Sequence, residues 1–387
     1  MRILFSFAGG RGHLEPLLPL ARAARAARHH VALAGGHSTL RGVESLGFEN
    51  LPYGRAPVET PPARRPLREI DVEREKQEFR ERFVRRLARD RVPDVVELCE
   101  RWRPDLLVRD ETDLGALVGA ELLGIPHATV LVTAAESFVV PGVVAEPLGE
   151  IRAEHGLPPD PTLAAPSRYL VLAPFPPSFR DPRSPLPPAA HSFRPCALDP
   201  PDDEEPPWLA RLGDAPLVYV TLGTVFNLES GDLFARVLAG LAALPVNVVV
   251  TIGNELDPEE LGLLPEHIHV ERFIPQTTVL PHCSAVVSHG GSGTVIGALA
   301  HGLPQVVIPM GADQPFNARR CDELGVAEVL DPIAAGPESV RASVARVLSE
   351  PRYRAAAERM AREIAAQPGP AHTVTLLERV AQERHAT

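Results

Sequence analysis

Two Rossmann-like α/β domains are predicted, and three observations carry the prediction. The chain has 387 residues, beyond the roughly 250–300 at which single cores usually divide. Short apolar runs alternate with helical patterns in both halves, as in a parallel sheet covered by helices. A charged, proline-dense stretch, PPDDEEPP at 200–207, stands between the halves and can form neither a helix nor a central strand.

The elements follow in order. Residues 2–8 read as a buried strand and 9–13 as the glycine turn after it. Residues 14–28 read as an Ala/Leu/Arg helix with Pro16 in its first turn. Residues 31–34 and 48–52 give a second and a third strand, and 57–66 a proline-rich loop. The strongly charged stretch 68–91, with sparse apolar positions such as Phe79, Phe83 and Leu87, reads as a solvated surface helix. The alternative reading is a wall over an acceptor cleft. Residues 92–101 are helical, and 105–108 form a strand ending in Arg109-Asp110-Glu111. A helix over 114–123, closed by Gly124, precedes a strand at 127–132. The pattern weakens over 141–166, and 169–173 reads as the last strand of the first domain. Residues 174–207 are assigned to the interdomain linker. The second domain is expected to hold strands at 217–221, 246–252, 268–273, 285–287, 305–310 and 326–330. Its helices are expected at 232–244 and 339–364, with a last helix at 373–383. The domains are therefore 1–200 and 208–370, with residues 371–387 packing back on the first.

Composition narrows the functional classes. Hydrophobic residues make up 44%, enough for two cores. A net charge of -11 argues against nucleic acid or an anionic membrane as a bulk-charge partner. No apolar run reaches the 18 or so residues of a membrane span, and the first residues do not read as a leader, so a cytoplasmic location is expected. Cys99, Cys196, Cys283 and Cys321 are scattered without zinc spacing and read as reduced thiols. Lys76 is the only lysine. Neither a P-loop lysine nor a Schiff-base lysine fits its place in a charged run.

Chemistry concentrates in the stretch AVVSHGGSGTVIGALAHGLPQVVIPMGADQPFNA at 285–318. It reads as strand, glycine loop, helix and strand, with polar clusters at two strand C-termini, where open α/β sheets bind ligands. Gly290, Gly291 and Gly293 let the backbone approach a ligand closely. The helix start, with Ser292 and Thr294, suits a phosphate. Asp313 accepts hydrogen bonds and Gln314 both donates and accepts, as a reader of sugar hydroxyls needs. Phosphate at one end and polyol at the other describe a nucleotide sugar. Before the loop, Pro275 offers a flat face and Gln276 a two-way hydrogen-bonder for a pyrimidine. Thr224, after Gly223, is a second candidate phosphate contact. In the first half, His13 follows the glycine turn and is a candidate general base. The loop is not a dinucleotide fingerprint, because Glu15 stands where the last glycine would be. Asp110, Glu111 and Asp113 are all candidates to orient His13.

The run His289-Gly290-Gly291-Ser292-Gly293-Thr294, with Ala298-Leu299, Gly302-Leu303-Pro304, Pro309, Asp313-Gln314 and Asn317-Ala318, resembles the donor signature of family 1 glycosyltransferases, most of all their actinobacterial natural-product branch. Gly12-His13 with Pro16 is similar to that family's catalytic histidine motif, residues 218–224 to its first C-domain strand and loop, and Pro275-Gln276 with 280–283 to its base-binding segment. Glu15 departs from the small polar or aromatic residue common at that place. The resemblance spans the chain and implies a GT-B fold, with two Rossmann-like domains facing across a cleft. The first would bind the acceptor and the second the donor. It also implies a hexosyltransferase-type, inverting reaction without metal or resident cofactor, moving a sugar from a UDP- or TDP-sugar to a hydroxyl of a small apolar natural product. In it His13 would be the base, Asp110 its partner, and His289 with the glycine loop the hold on the leaving diphosphate. Two alternatives differ: an epimerase or hydrolase on the same fold, and an inert relative that activates a partner enzyme. A monomer or homodimer is expected.

Overall fold

The computed structural model describes residues 1–54, 64–195, 208–209, 212–223 and 226–383. They divide into two units. Of the described residues, the first unit holds 1–54, 73–195 and 367–383, and the second holds 64–72 and the rest of 208–366.

The first unit is built on seven strands: β1 (Arg2–Ser6), β2 (His30–Gly35), β3 (Glu49–Pro52), β4 (Leu106–Asp110), β5 (His127–Val130), β6 (Leu170–Ala173) and β7 (Ala190–Ser192). Their order is β3-β2-β1-β4-β5-β6-β7, and every pairing is parallel. The chain reverses its direction of travel through the sheet between β1 and β4, which opens a crevice at their C-terminal ends. Helices α1 (Arg11–Leu14), α2 (Leu18–Ala26), α3 (His37–Arg41), α4 (Val72–Phe79), α5 (Arg89–Trp102), α6 (Leu114–Leu122) and α7 (Glu146–Glu154) connect the strands.

The second unit holds β8 (Leu217–Thr221), β9 (Asn247–Thr251), β10 (Ile268–Glu271), β11 (Ala285–Ser288), β12 (Gln305–Val307) and β13 (Ala327–Val329). The order is β10-β9-β8-β11-β12-β13, again all parallel, with its reversal between β8 and β11. Its helices are α8 (Leu233–Leu241), α9 (Gln276–Val279), α10 (Ser292–Ala300), α11 (Gln314–Glu323), α12 (Pro337–Ser349) and α13 (Pro351–Ala366). The last helix, α14 (Pro370–Glu383), belongs to the first unit and packs on α2 and on β4 to β6. Both faces of its central strands are covered, so β8, β9 and β11 are largely apolar runs without polar alternation. Val218 and Val220 pack with Leu233, Val237 and Val344 on one side. Leu217 and Tyr219 pack with Val279, Ala298 and Leu303 on the other. Burying each such valine or leucine contributes about 1.5–3 kcal/mol.

The structure departs from the sequence reading in four places, each with a local cause. The helix expected at 14–28 starts at Arg11 and is interrupted after Leu14, where Pro16 cannot donate to the ladder. Residues 72–102 are helical throughout, and Arg80–Ala88 is wound as a π-helix. This stretch is not a solvated helix. Phe79, Val84 and Ala88 are buried, while Arg80, Arg85 and Arg89 pair with Glu146, Glu150 and Glu154. The region read as linker is folded through residue 195: Phe175, Phe179 and Phe193 are buried and β7 adds a strand to the first sheet. Prolines are tolerated there because β7 is an edge strand. Pro351 divides the long helix expected at 339–364 into α12 and α13.

Cys99, Cys283 and Cys321 are free thiols, and Cys196 lies outside the described residues. Among the described residues no helix is long and apolar enough to cross a membrane.

One buried group in the first sheet makes stability depend on pH. Neither ring nitrogen of His127 has a hydrogen-bond partner. Burial, reinforced by the charges of Arg109 and Arg168, pushes its pKa down to about 3. The unfolded chain takes up a proton near pH 6.5 that the native chain refuses. Stability is therefore complete above that pH and falls by roughly 1.4 kcal/mol per unit as pH drops toward 3. Urea unfolding at pH 5 and pH 7 is expected to show a smaller difference for His127→Phe than for the wild type. Equal differences would refute this account.

Candidate active site

The candidate residues His13, Asp110 and His289 sit where each sheet reverses. In the first unit, β1 ends at Ser6, and the loop Phe7–Gly10 leads into α1, which carries His13. Asp110 is the last residue of β4, the neighbour of β1. The two side chains meet: His13 Nδ1 lies 3.5 Å from Asp110 Oδ1. The Thr112 hydroxyl lies closer to both, 3.0 Å from His13 Nδ1 and 2.6 Å from Asp110 Oδ1. Asp110 is fully buried and accepts further bonds from the N–H groups of Ala8 and Thr112. Burial opposes its ionisation, but the His13 charge and the bonds from Thr112 and Ala8 outweigh it and hold the carboxyl below its ordinary pKa.

The other two carboxylates face elsewhere. Glu111 accepts from the N–H groups of Val132 and Thr133 and from the hydroxyls of Thr133 and Ser137. Asp113 caps α6, accepts from Ser6 and pairs with buried Arg91 at 3.2 Å. Arg91 also donates to the Phe7 carbonyl at 2.7 Å, tying the loop after β1 to the loop after β4. The imidazole of His13 is held as a plate. Phe83 stacks on it with centroids 5.7 Å apart, continuing a stack through Phe79 to Phe138. At Gly9 a Cβ would come within 2.1 Å of the ring, so only glycine allows this placement.

In the second unit, His289 follows β11, and Gly290 to Thr294 lead into α10, whose N-terminus has no side-chain cap. Such an end presents backbone N–H groups and positive potential. The His289 ring is enclosed: a Cβ at Gly223 or at Gly291 would come within 2.6 Å of its Nε2. Burial, partly offset by a bond to the Thr221 backbone, pushes its pKa down to about 4. His289 is therefore neutral near pH 7, a hydrogen-bonding group and not a cation. Gln276 starts α9 after Pro275 and donates to the Thr294 hydroxyl at 3.1 Å, which joins the candidate base segment to the glycine loop. Asp313 accepts from Ser292 at 2.7 Å and from Asn317 at 2.8 Å, and Asn317 also donates to the Gly290 carbonyl. Gln314, at the start of α11, accepts from the N–H groups of Met310 and Gly311. Its oxygen is thus committed to the turn. Thr224 lies outside the described residues.

The comparisons extend this picture. Residues 235–380 match the family model "Erythromycin biosynthesis protein CIII-like, C-terminal domain". The chain is 31% identical to 4'-demethylrebeccamycin synthase of Lentzea aerocolonigenes, over 97% of this chain and 99% of that protein. The chain belongs to the natural-product glycosyltransferases of family 1. This glycosyltransferase is also 30% identical to the L-demethylnoviosyl transferase of Streptomyces niveus, over 96% of both chains. Its fold matches the glycosyltransferase VinC in complex with dTDP at a TM-score of 0.79 and 27% identity, over 99% of this chain and 100% of that one. The spinosyn rhamnosyltransferase SpnG complexed with thymidine diphosphate matches at 0.81 and 27%, over 98% and 100%. The glycosyltransferase thus has the GT-B fold anticipated from its motifs.

Sequence reasoning missed four residues of these clusters. Thr112 was hidden among three carboxylates. Arg91 stood in a run of arginines, and Phe83 in a helix read as solvated. Asn317 was read as part of a motif without a partner.

Proposed function

We propose that the glycosyltransferase moves a sugar from a thymidine diphosphate-linked donor to a hydroxyl of an apolar natural-product acceptor, with inversion and without a metal. The observation that carries this reading is the His13–Thr112–Asp110 cluster at the reversal of the first sheet. An imidazole oriented in this way supports a role in taking a proton from a hydroxyl. His13 takes the proton of the acceptor hydroxyl, and the oxygen attacks the anomeric carbon. The carbon–oxygen bond to the diphosphate breaks on the opposite face, and its electron pair leaves with the nucleotide.

The second unit supplies the complementary half. The uncapped start of α10, with the Ser292 N–H and the Thr294 hydroxyl, stabilises charge developing on the leaving diphosphate, the task a metal would otherwise perform. Gln276 and Pro275 receive the base. Asp313, already oriented by Ser292 and Asn317, accepts from sugar hydroxyls, and any contact from Gln314 falls to its amide nitrogen. Support for thymidine comes from VinC and SpnG, both solved with that nucleotide, and support for a natural-product acceptor from SpnG complexed with spinosyn aglycone. On this reading no resident cofactor is needed, and the protein works in the cytoplasm.

Thermal melting with dTDP and with UDP tests the donor assignment. At about one hundred times its dissociation constant a ligand adds roughly 2.7 kcal/mol, which for a unit of this size raises Tm by roughly 5–10 °C. The larger rise is expected with dTDP. A larger rise with UDP would refute thymidine, and no rise with either would refute the donor site.

A further inference from the structure

We propose that Thr112 is a positioning residue for His13: its hydroxyl relays the hold of Asp110 and fixes the imidazole as the Nδ1–H tautomer. The inference rests on the reading of His13 as the base. It follows from counting hydrogens. Asp110 Oδ1 belongs to an ionised carboxylate and can only accept, and it lies 2.6 Å from Thr112 Oγ1. A threonine hydroxyl has one hydrogen, so that hydrogen points to Asp110. At His13 Nδ1, 3.0 Å away, the same oxygen can then only accept. The hydrogen on that bond must come from the ring. Nδ1 therefore carries a proton, and Nε2 is the basic nitrogen.

The direct approach of His13 Nδ1 to Asp110 Oδ1 is 3.5 Å, too long to set the tautomer by itself. Asp110 is also engaged elsewhere, with Ala8 N–H on Oδ2 and Thr112 N–H on Oδ1. The Thr112 backbone bond and hydroxyl bond grip the same oxygen, which leaves the hydroxyl little freedom to turn. When His13 gains a proton at Nε2, Nδ1–H still donates to Thr112 and Thr112 to Asp110. The carboxylate steadies the imidazolium through the hydroxyl, and no proton moves beyond the ring.

The test is nitrogen NMR of histidine-ring-labelled full-length protein, with the His13 signals assigned by their loss in His13→Ala. In the wild type, Nδ1 is expected in the protonated range and Nε2 in the unprotonated range near neutral pH. Thr112→Ser is expected to keep this pattern. Thr112→Val is expected to move Nδ1 toward the unprotonated range and to lower kcat on the order of 10- to 100-fold, a share of what a general base supplies, with KM little changed. A wild-type His13 protonated at Nε2 would overturn the proposal without recourse to any Thr112 variant. A Thr112→Val protein with the wild-type ring pattern would overturn it too, since Asp110 would then act directly. Transfer that survived His13→Ala would instead overturn the base assignment, a separate outcome read from activity and not from the ring.

Discussion

His13→Ala is expected to lower kcat/KM for sugar transfer by about 10²- to 10⁴-fold while leaving stabilisation by dTDP unchanged. The imidazole lies at the reversal of the first sheet, braced by Phe83 and lying across the Gly9 backbone, with 24% of its side chain exposed. Its removal takes away the proposed base and leaves the second unit, to which nucleotide binding is assigned, with its sequence unchanged. The side chain is only half-buried, so the variant should melt near the wild-type temperature. Steady-state rates with any acceptor the wild type glycosylates give the measurement. Wild-type kcat/KM in the variant would show that another group takes the proton.

Gly290→Ala is expected to weaken dTDP binding by roughly 10- to 100-fold, or about 1.4–2.8 kcal/mol. Gly290 has φ of 86°, in the left-handed half of the map, where a side chain costs about 1–3 kcal/mol. An added Cβ would also sit 2.7 Å from Val307 Cγ1 on β12. The strand cannot yield, because Val307 is fully buried and pairs with β11 and β13. The loop must move instead, and it carries the Gly290 carbonyl bonded to Asn317 and the first N–H groups of α10. Calorimetric titration with dTDP measures the loss. Binding at wild-type strength would mean that these N–H groups do not hold the diphosphate.

Most of the fold was legible because buried parallel strands leave unbroken apolar runs. Residues 217–221, 247–251 and 285–288 could hardly be read otherwise, and each lies within a residue or two of its expected place. The glycine loop was equally legible, since its residues are contiguous. What escaped depends on contacts across the chain. The strand β7 and the helix α7 lie among prolines, which mask their periodicity, and the buried Phe193 just after β7 and the buried Leu148 and Ile151 of α7 reveal the packing. The charged face of 72–88 was visible, but its partners on α7 were not. Asp110 could not be separated from Glu111 and Asp113 by sequence, because all three stand at one strand end. Only the directions of their side chains distinguish them. Thr112 was missed for the same reason: a hydroxyl becomes a link only once the groups on both sides of it are placed.

The position of α14 has a consequence for biosynthesis. This helix follows the whole second unit, yet it lies against α2 and the first sheet, with Leu377 fully buried and Glu378 paired with His29 at 3.1 Å. The strands of the first unit precede the second unit, but one of their covering helices is made only after it. On the ribosome its sheet must wait with that face uncovered, although domains generally complete themselves in the order they emerge. The second unit needs only residues 64–72 in addition to its own continuous stretch. The second unit can therefore be finished while the first is still open, and a sheet whose strands precede that unit is sealed by a helix that follows it.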